Sequence, residues 1–281
     1  MQSDVDFLGM APGPGADRFR FTIGGHLARL DGLLYGGTAI AASMAAAEAV
    51  TGRSSLWTTT QFVATAGPGT EVTVTVEELA AGRRAAQVRV TGIDPTGRVL
   101  FASLGATGEA DMERPRGVFL DPPRVADPDD SPPWGGPIAT IVRLIADAEE
   151  SSGRPPGVGF MSVVELLEPE VVSHPDPGPG RLTYWARRVD GGPMTPAIVA
   201  YIADLVPLSV STAMGVVEVG TSLDNTIRVD PSVQTDWVVA FAAADRKAPG
   251  AAVVAAALTS LVSAAAEPAA DSPVAPVDPV F

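Results

Sequence analysis

One ionisable side chain stands inside an apolar stretch of the sequence, in "TPAIVAYIADLVP". Asp204 follows the apolar residues 197–203 and precedes Leu205 and Val206. We predict one helix over residues 194–208. A carboxylate among such neighbours is poorly solvated, which raises its pKa and makes it a better base near neutral pH. The position therefore indicates a general base. The alternative is that the helix turns Asp204 toward solvent, or that its carboxylate hydrogen-bonds locally near Pro207.

A second polar group lies in "TSLDNTIRVD". Side chains alternate along a strand, so Ser222 and Asp224 share one face and Asn225 takes the other. The hydroxyl and the carboxylate could both face a site, or both could face solvent at the start of a strand. Asn225 is expected to cap or pair locally.

A pair of glycines, Gly36 and Gly37, stands immediately before an alanine-rich stretch. The free N–H groups at the start of a helix can bind an oxyanion or a phosphate. Two glycines before a helix are also common for turn formation alone, so this motif is weak by itself.

The elements around these residues follow the same plan twice. The sequence pattern of the first half predicts a strand from Phe19, a helix over 36–51 with Gly52 as its C-cap, and then four antiparallel strands. The second half predicts strands, the helix over 194–208, and strands again. The segments "LWTTTQFVATAGP" and "SLDNTIRVDP" correspond, and both close with proline. The predicted division is a flexible N-terminus (1–18), a first domain (19–108), a Pro/Asp-rich linker with a short helix (109–156), a second domain (157–267) and a disordered tail (268–281).

This plan resembles the double hotdog fold of acyl-CoA thioesterases of the thioesterase II type, over about residues 20–107 and 157–267. The resemblance rests on Gly36-Gly37, on "IADLVP" and on Ser222-Leu223-Asp224. It implies an α+β fold with two helices, each wrapped by a curled antiparallel sheet. We expect the two sheets to pair edge to edge into one continuous sheet, which would leave fewer open sheet edges.

The resemblance also implies a site. In the family a helix Asp, a hydroxyl residue and a Gln on the last strand hold the water that attacks a thioester. Asp204 and Ser222 match the first two positions, with Ser222 where Thr is usual. Glu267 stands where the Gln is expected, although a charged residue that merely ends the last strand is the favoured interpretation. The chain also departs from the family at Asn225, where the family has His, and over residues 227–231.

The implied activity is hydrolysis of acyl-CoA, or a similar acyl thioester, by water that Asp204 activates. No cofactor and no metal are implied, and a homo-oligomer is expected. The alternative is a catalytically inactive hotdog protein that binds acyl groups or a partner protein, because basic residues that could meet the CoA phosphates are few. A hotdog dehydratase would need an Asp–His pair that neither His26 nor His174 offers.

Composition excludes other classes of protein. The 281 residues carry 33 Asp and Glu against 19 Lys and Arg, a net charge of -14, which disfavours nucleic acids and anionic membrane surfaces. There is no cysteine, so thiolate nucleophiles and disulfides are excluded. With Asp4 and Asp6 where a secretion signal needs positive charge, we expect a cytoplasmic protein.

Overall fold

In the computed structural model of the chain, the described residues are 4–109, 123–135, 159–173, 181–206, 209, 222–229 and 235–243. Three α-helices are described: α1 (Asp4–Phe7), α2 (Gly36–Thr51) and α3 (Pro196–Ala203). The strands of the first half are β1 (Ala11–Pro12), β2 (Arg18–Thr22), β3 (Ser54–Phe62), β4 (Glu71–Ala81), β5 (Ala85–Ile93) and β6 (Val99–Gly108). Those that follow are β7 (Arg124–Val125), β8 (Val164–Leu167), β9 (Val171–Ser173), β10 (Arg181–Arg188), β11 (Asp224–Arg228) and β12 (Val238–Ala243).

The first half forms the predicted helix-and-sheet unit. Helix α2 packs against β3, β4, β5 and β6, and the sheet order is β1-β2-β4-β5-β6-β3-β11, antiparallel throughout. Alternation along β4 buries Val72, Val74 and Val76 against this helix. Ile40 and Met44 of α2 are fully buried, and each such side chain contributes roughly 2 kcal/mol through lost apolar exposure.

Helix α2 ends as its sequence predicts. Gly52 adopts a left-handed backbone conformation, with φ of 65°, and donates its N–H to the carbonyl of Glu48. A glycine reaches this conformation without a steric penalty, so the helix stops there and the chain turns into β3.

Within the described residues, one pair of strands joins the second half to the sheet of the first half. Strand β11 pairs antiparallel with β3, from Asp224 opposite Gln61 to Arg228 opposite Trp57. These two strands come from the two segments whose sequences correspond, so the repeated element pairs with its own counterpart. Strands β12, β10 and β8 form a three-stranded sheet in that order, and β7 pairs with β9 in a two-stranded sheet. Neither is joined to the first sheet within the described residues. A fully continuous sheet therefore stays a prediction.

The N-terminal segment differs from the expected flexible lead-in. Phe7, Leu8 and Met10 are buried in the main core, and Phe7 packs edge-on against Tyr201 of α3. The composition of residues 1–18 is rich in proline and glycine and so predicted a loose segment. Its three apolar side chains nevertheless pack against parts of the core that are distant in sequence. No helix in the described parts of the chain is long and apolar enough to cross a membrane.

Candidate active site

Asp204 lies at the end of helix α3, one residue beyond its last helical residue. Thr195 caps the start of this helix, since its Oγ1 accepts the N–H of Ile198 at 3.3 Å. Every residue from Ala197 to Ala203 is buried. The expected helix over 194–208 is therefore too long, because the regular helix stops at Ala203 and Asp204 is its C-cap. Pro207 in the sequence favours such an early end, as a proline disfavours helical backbone at the preceding residue.

The carboxylate of Asp204 points to the start of helix α2. A Cβ atom placed on Gly36 would lie 2.3 Å from Oδ2 of Asp204, and one on Gly37 would lie 2.2 Å from the carbonyl oxygen of Tyr201. Neither contact is possible for a larger residue without movement. The two glycines therefore let α2 and the end of α3 approach each other, and the sequence-predicted residues Gly36, Gly37 and Asp204 do lie together.

The first N–H groups of a helix have no partner within the helix, and their dipoles favour a negative charge. One of them, the N–H of Gly37, donates to the Asp204 carboxylate. The sequence suggested that these N–H groups hold an oxyanion of the substrate. In the structure the Gly37 N–H is already engaged by the protein's own carboxylate.

Burial raises the pKa of the Asp204 carboxyl to about 7. Hydrogen bonds from Asn225 and Gly37, together with the positive charge of Arg29, act in the opposite direction and hold the pKa below what burial alone would give. The residue keeps partial contact with solvent. A carboxyl group with this pKa is ionised in about half of the molecules near pH 7, so it can accept a proton at neutral pH.

Asn225 is the side chain of β11 that reaches Asp204. Its Nδ2 donates to Asp204 Oδ1 at 3.3 Å. The strand starts at Asp224, which is exposed, and Ile227 on the Asn225 face is buried. The alternation predicted from the sequence is confirmed, but the expectation that Asn225 only caps or pairs locally is wrong. The face that meets the site is that of Asn225.

Ser222 lies two residues before the strand and is partly exposed. Among the described hydrogen bonds, none joins it to Asp204. Glu267 lies outside the described residues, as do His174, the short helix expected in the linker and the tail over 268–281. A role for Ser222 or Glu267 remains a prediction.

Aromatic side chains enclose the carboxylate. The ring of Phe62 lies 3.1 Å from the position that a Cβ on Gly36 would take. Tyr35 donates its hydroxyl to the carbonyl of Tyr201 at 2.8 Å and stacks on Phe160, so it is held by packing between the two halves. Burial raises the pKa of both Tyr35 and Tyr184, and the negative charge of Asp204 raises both further. These phenols therefore stay protonated around the site.

A row of hydroxyl groups lies beside the site, between helix α2 and the sheet. Ser43 Oγ donates to the carbonyl of Ala39 at 2.8 Å and lies 2.9 Å from Ser103 Oγ. Ser103 Oγ in turn lies 2.8 Å from Thr60 Oγ1, and Thr60 stands directly opposite Asn225 in the strand pairing. Because Ser43 donates its proton to Ala39, Ser103 must donate to Ser43, and Thr60 must donate to Ser103. The hydroxyl proton of Thr60 is therefore directed to Ser103 and not to Asn225.

The histidine and acidic side chains of the described ranges do not form a metal site. His26 lies 2.6 Å from the carbonyl of Phe7 through Nε2. Within those ranges, no three His, Asp or Glu side chains are grouped so that they could hold a metal ion. The chemistry available from the described site is that of a carboxylate base, backbone N–H donors and one carboxamide.

Comparison with known families assigns both halves of the chain. Residues 28–105 match the acyl-CoA thioesterase N-terminal domain, and residues 123–260 match the acyl-CoA thioesterase C-terminal domain. Together these matches cover most of the chain, which therefore belongs to the acyl-CoA thioesterase family and is a thioester hydrolase with a double hotdog fold. No curated protein sequence matches the chain significantly.

Solved structures are similar over almost the full length. A thioesterase candidate from Novosphingobium aromaticivorans has a TM-score of 0.70 and 27% identity, with 86% of this chain and 88% of that chain covered. A hot dog protein from Alicyclobacillus acidocaldarius has a TM-score of 0.68 and 16% identity, covering 86% of each chain. The tesB protein of Mycobacterium avium subs paratuberculosis has a TM-score of 0.61 and 19% identity, covering 87% of this chain and 86% of that one. The last two similarities show the fold.

Proposed function

We propose that this thioester hydrolase cleaves acyl-CoA by means of a water molecule that Asp204 deprotonates. The observation that carries the proposal is the position of the Asp204 carboxylate, partly open to solvent at the start of helix α2, with its pKa raised to about 7 by burial. An ordinary surface carboxylate is too weak a base for this step, whereas one with a pKa near the working pH is suited to it.

The reaction balances with this single base. Asp204 takes a proton from water while the water oxygen forms a bond to the thioester carbonyl carbon. The tetrahedral intermediate then collapses, the carbon–sulfur bond breaks, and the proton returns from Asp204 to the leaving CoA thiolate. The products are a free acid and CoA, and Asp204 is again ionised.

Other groups assist in this proposal. The start of helix α2 would stabilise the oxyanion through first-turn N–H groups other than that of Gly37, which Asp204 engages, since these groups and the helix dipole favour negative charge there. Ser222 and Glu267 would complete the hydrogen-bonding of the water, as the family resemblance implies. We further propose a cytoplasmic homo-oligomer acting in lipid metabolism. Light scattering should give a mass above that of one chain, and a monomer at micromolar concentration would contradict the oligomer.

A thiol-release assay across acyl-CoA esters from acetyl to palmitoyl tests the activity. The parent protein should release CoA from at least one ester, and Asp204→Asn should lower that rate roughly 100- to 10,000-fold, the usual loss for a general base. Asp224→Asn is the matched control, because it makes the same chemical change on an exposed side chain of β11. Equal rates for parent and Asp204→Asn would refute the mechanism, and release from no ester would favour a binding protein.

A further inference from the structure

Asn225 occupies a position that links three elements of the structure. It lies on β11, and the pairing of this strand with β3 spans five residue pairs, so its backbone is fixed by an extended set of hydrogen bonds. From there its Nδ2 reaches Oδ1 of Asp204 at the end of α3, while Oδ2 of the same carboxylate lies against Gly36 at the start of α2. One carboxylate oxygen of Asp204 is thus bound by β11, and the other lies against the start of α2.

The polar side chains next to Asn225 form hydrogen bonds with other residues. Thr60 stands opposite it on the inner face of the sheet, but the described hydrogen bond of Thr60 is to Ser103, and that of the Asn225 amide is to Asp204. Thr226, the next residue, uses its Oγ1 on Thr59 on the outer face, at 3.0 Å. The Asn225 side chain is only partly buried. Its contact with Asp204 therefore comes from the placement of the strand.

We propose that Asn225 is the positioning residue for Asp204. The amide N–H holds Oδ1 of the carboxylate and so sets the direction in which Asp204 faces the attacking water. This inference rests on the proposed function, since it describes how the base of that reaction is oriented.

The same hydrogen bond affects the charge of the base. A donor N–H favours the ionised carboxylate, so the bond from Asn225 holds the pKa of Asp204 below the value that burial alone would give. The other groups that act on Asp204 are the N–H of Gly37 on α2, the positive charge of Arg29, and the protonated phenols of Tyr35 and Tyr184. None of these is altered when Asn225 is replaced, so a shift in the titration of Asp204 reports on Asn225.

The test compares the pH dependence of kcat/KM in the parent and in Asn225→Leu, which keeps the approximate shape and removes the donor. The inflection on the acidic side should move to higher pH by roughly 0.5 to 1 unit, the size expected for one lost hydrogen bond to a carboxylate. The value of kcat should fall about tenfold while KM changes little, since the substrate still binds. Asn225→His restores a ring N–H donor, and it should recover most of the rate and the parent inflection.

Thr226→Val is the matched control on the same strand, since it removes an exposed hydroxyl from the outer face. It should leave both the rate and the inflection unchanged. If Asn225→Leu does not fold, Asn225→Asp decides the question. This nearly isosteric change replaces the donor with a second carboxylate, which should move the inflection upward by about one unit or more.

An unchanged inflection in Asn225→Leu, or in Asn225→Asp, would overturn the inference. The proposed function is judged separately by Asp204→Asn. If Asp204→Asn is inactive while Asn225→Leu keeps the parent profile, Asp204 is the base and Asn225 is not its positioning residue. If Asp204→Asn is fully active, the proposed function itself fails.

Discussion

Replacing Asp204 with Asn should make the protein more stable at alkaline pH. The carboxyl is ordinarily ionised above pH 3.8, but burial at the end of helix α3 raises its folded-state pKa to about 7. The folded protein therefore binds this proton more tightly than the unfolded chain does. Between these two values the stability of the parent falls as pH rises, because the unfolded chain ionises first.

The magnitude follows from the same two values. Each pH unit of difference corresponds to about 1.4 kcal/mol, so a pKa about three units above the usual one costs at most about 4 kcal/mol at pH 8. Since Asp204 keeps partial contact with solvent, we expect about half of that, roughly 2 kcal/mol. Asn has the same shape, and its one carbonyl oxygen can accept either the Gly37 N–H or the Asn225 amide N–H. The variant therefore removes the cost of the charge, while the loss of the other hydrogen bond is the same at every pH.

Urea unfolding at several values between pH 4 and pH 8 measures this effect. The stability gained by Asp204→Asn should be small at pH 4 and should grow steadily to pH 8, with an unchanged dependence on urea. Asp224→Asn, on the exposed side of β11, should show no such growth. A difference between Asp204→Asn and the parent that is the same at every pH would show that the carboxyl is not buried as described.

Two further substitutions test the supports of the site. Gly36→Ala places a methyl group 2.3 Å from Oδ2 of Asp204, so kcat/KM should fall at least about tenfold in thiol release, as small misplacements of catalytic groups are costly. Gly67→Ala, where nothing lies within 4 Å, is the control and should retain full activity, and equal activity of both variants would argue against the close approach. Thr195→Val removes the helix cap of α3 and the 2.8 Å hydrogen bond to Asp4, and should lower the free energy of unfolding by about 1 kcal/mol. Unchanged urea unfolding would show that this cap contributes nothing.

Local sequence patterns were sufficient for much of the first half. The alanine-rich segment before Gly52 predicted helix α2 and its end, because helix propensity and the glycine C-cap act within a few residues. The alternating segment "EVTVTVE" forms β4, with its valines on the buried side, since such alternation is also a local pattern. Asp204 was found for a similar reason, since an ionisable residue in an apolar run is visible in the sequence itself.

The role of Asn225 could not be obtained in this way. Alternation separates Ser222 and Asp224 from Asn225, but it does not say which set faces the site. That choice is made by the pairing of β11 with β3, more than 160 residues apart in sequence, and by the end of α3 at Ala203. The burial of the N-terminal segment was missed for the same reason, since Phe7 contacts Tyr201 of the second half.

The pH dependence of kcat/KM for one acyl-CoA, in the parent and in Asp204→Asn, tests the central claim most directly. The parent should show an acidic limb with an inflection near 7, because burial raises the pKa of Asp204 to about 7 and only the ionised form accepts a proton from water. In Asp204→Asn the remaining activity should be roughly 100- to 10,000-fold lower at pH 8 and should lack that inflection. An inflection near 7 that persists unchanged in Asp204→Asn would show that another group is the base.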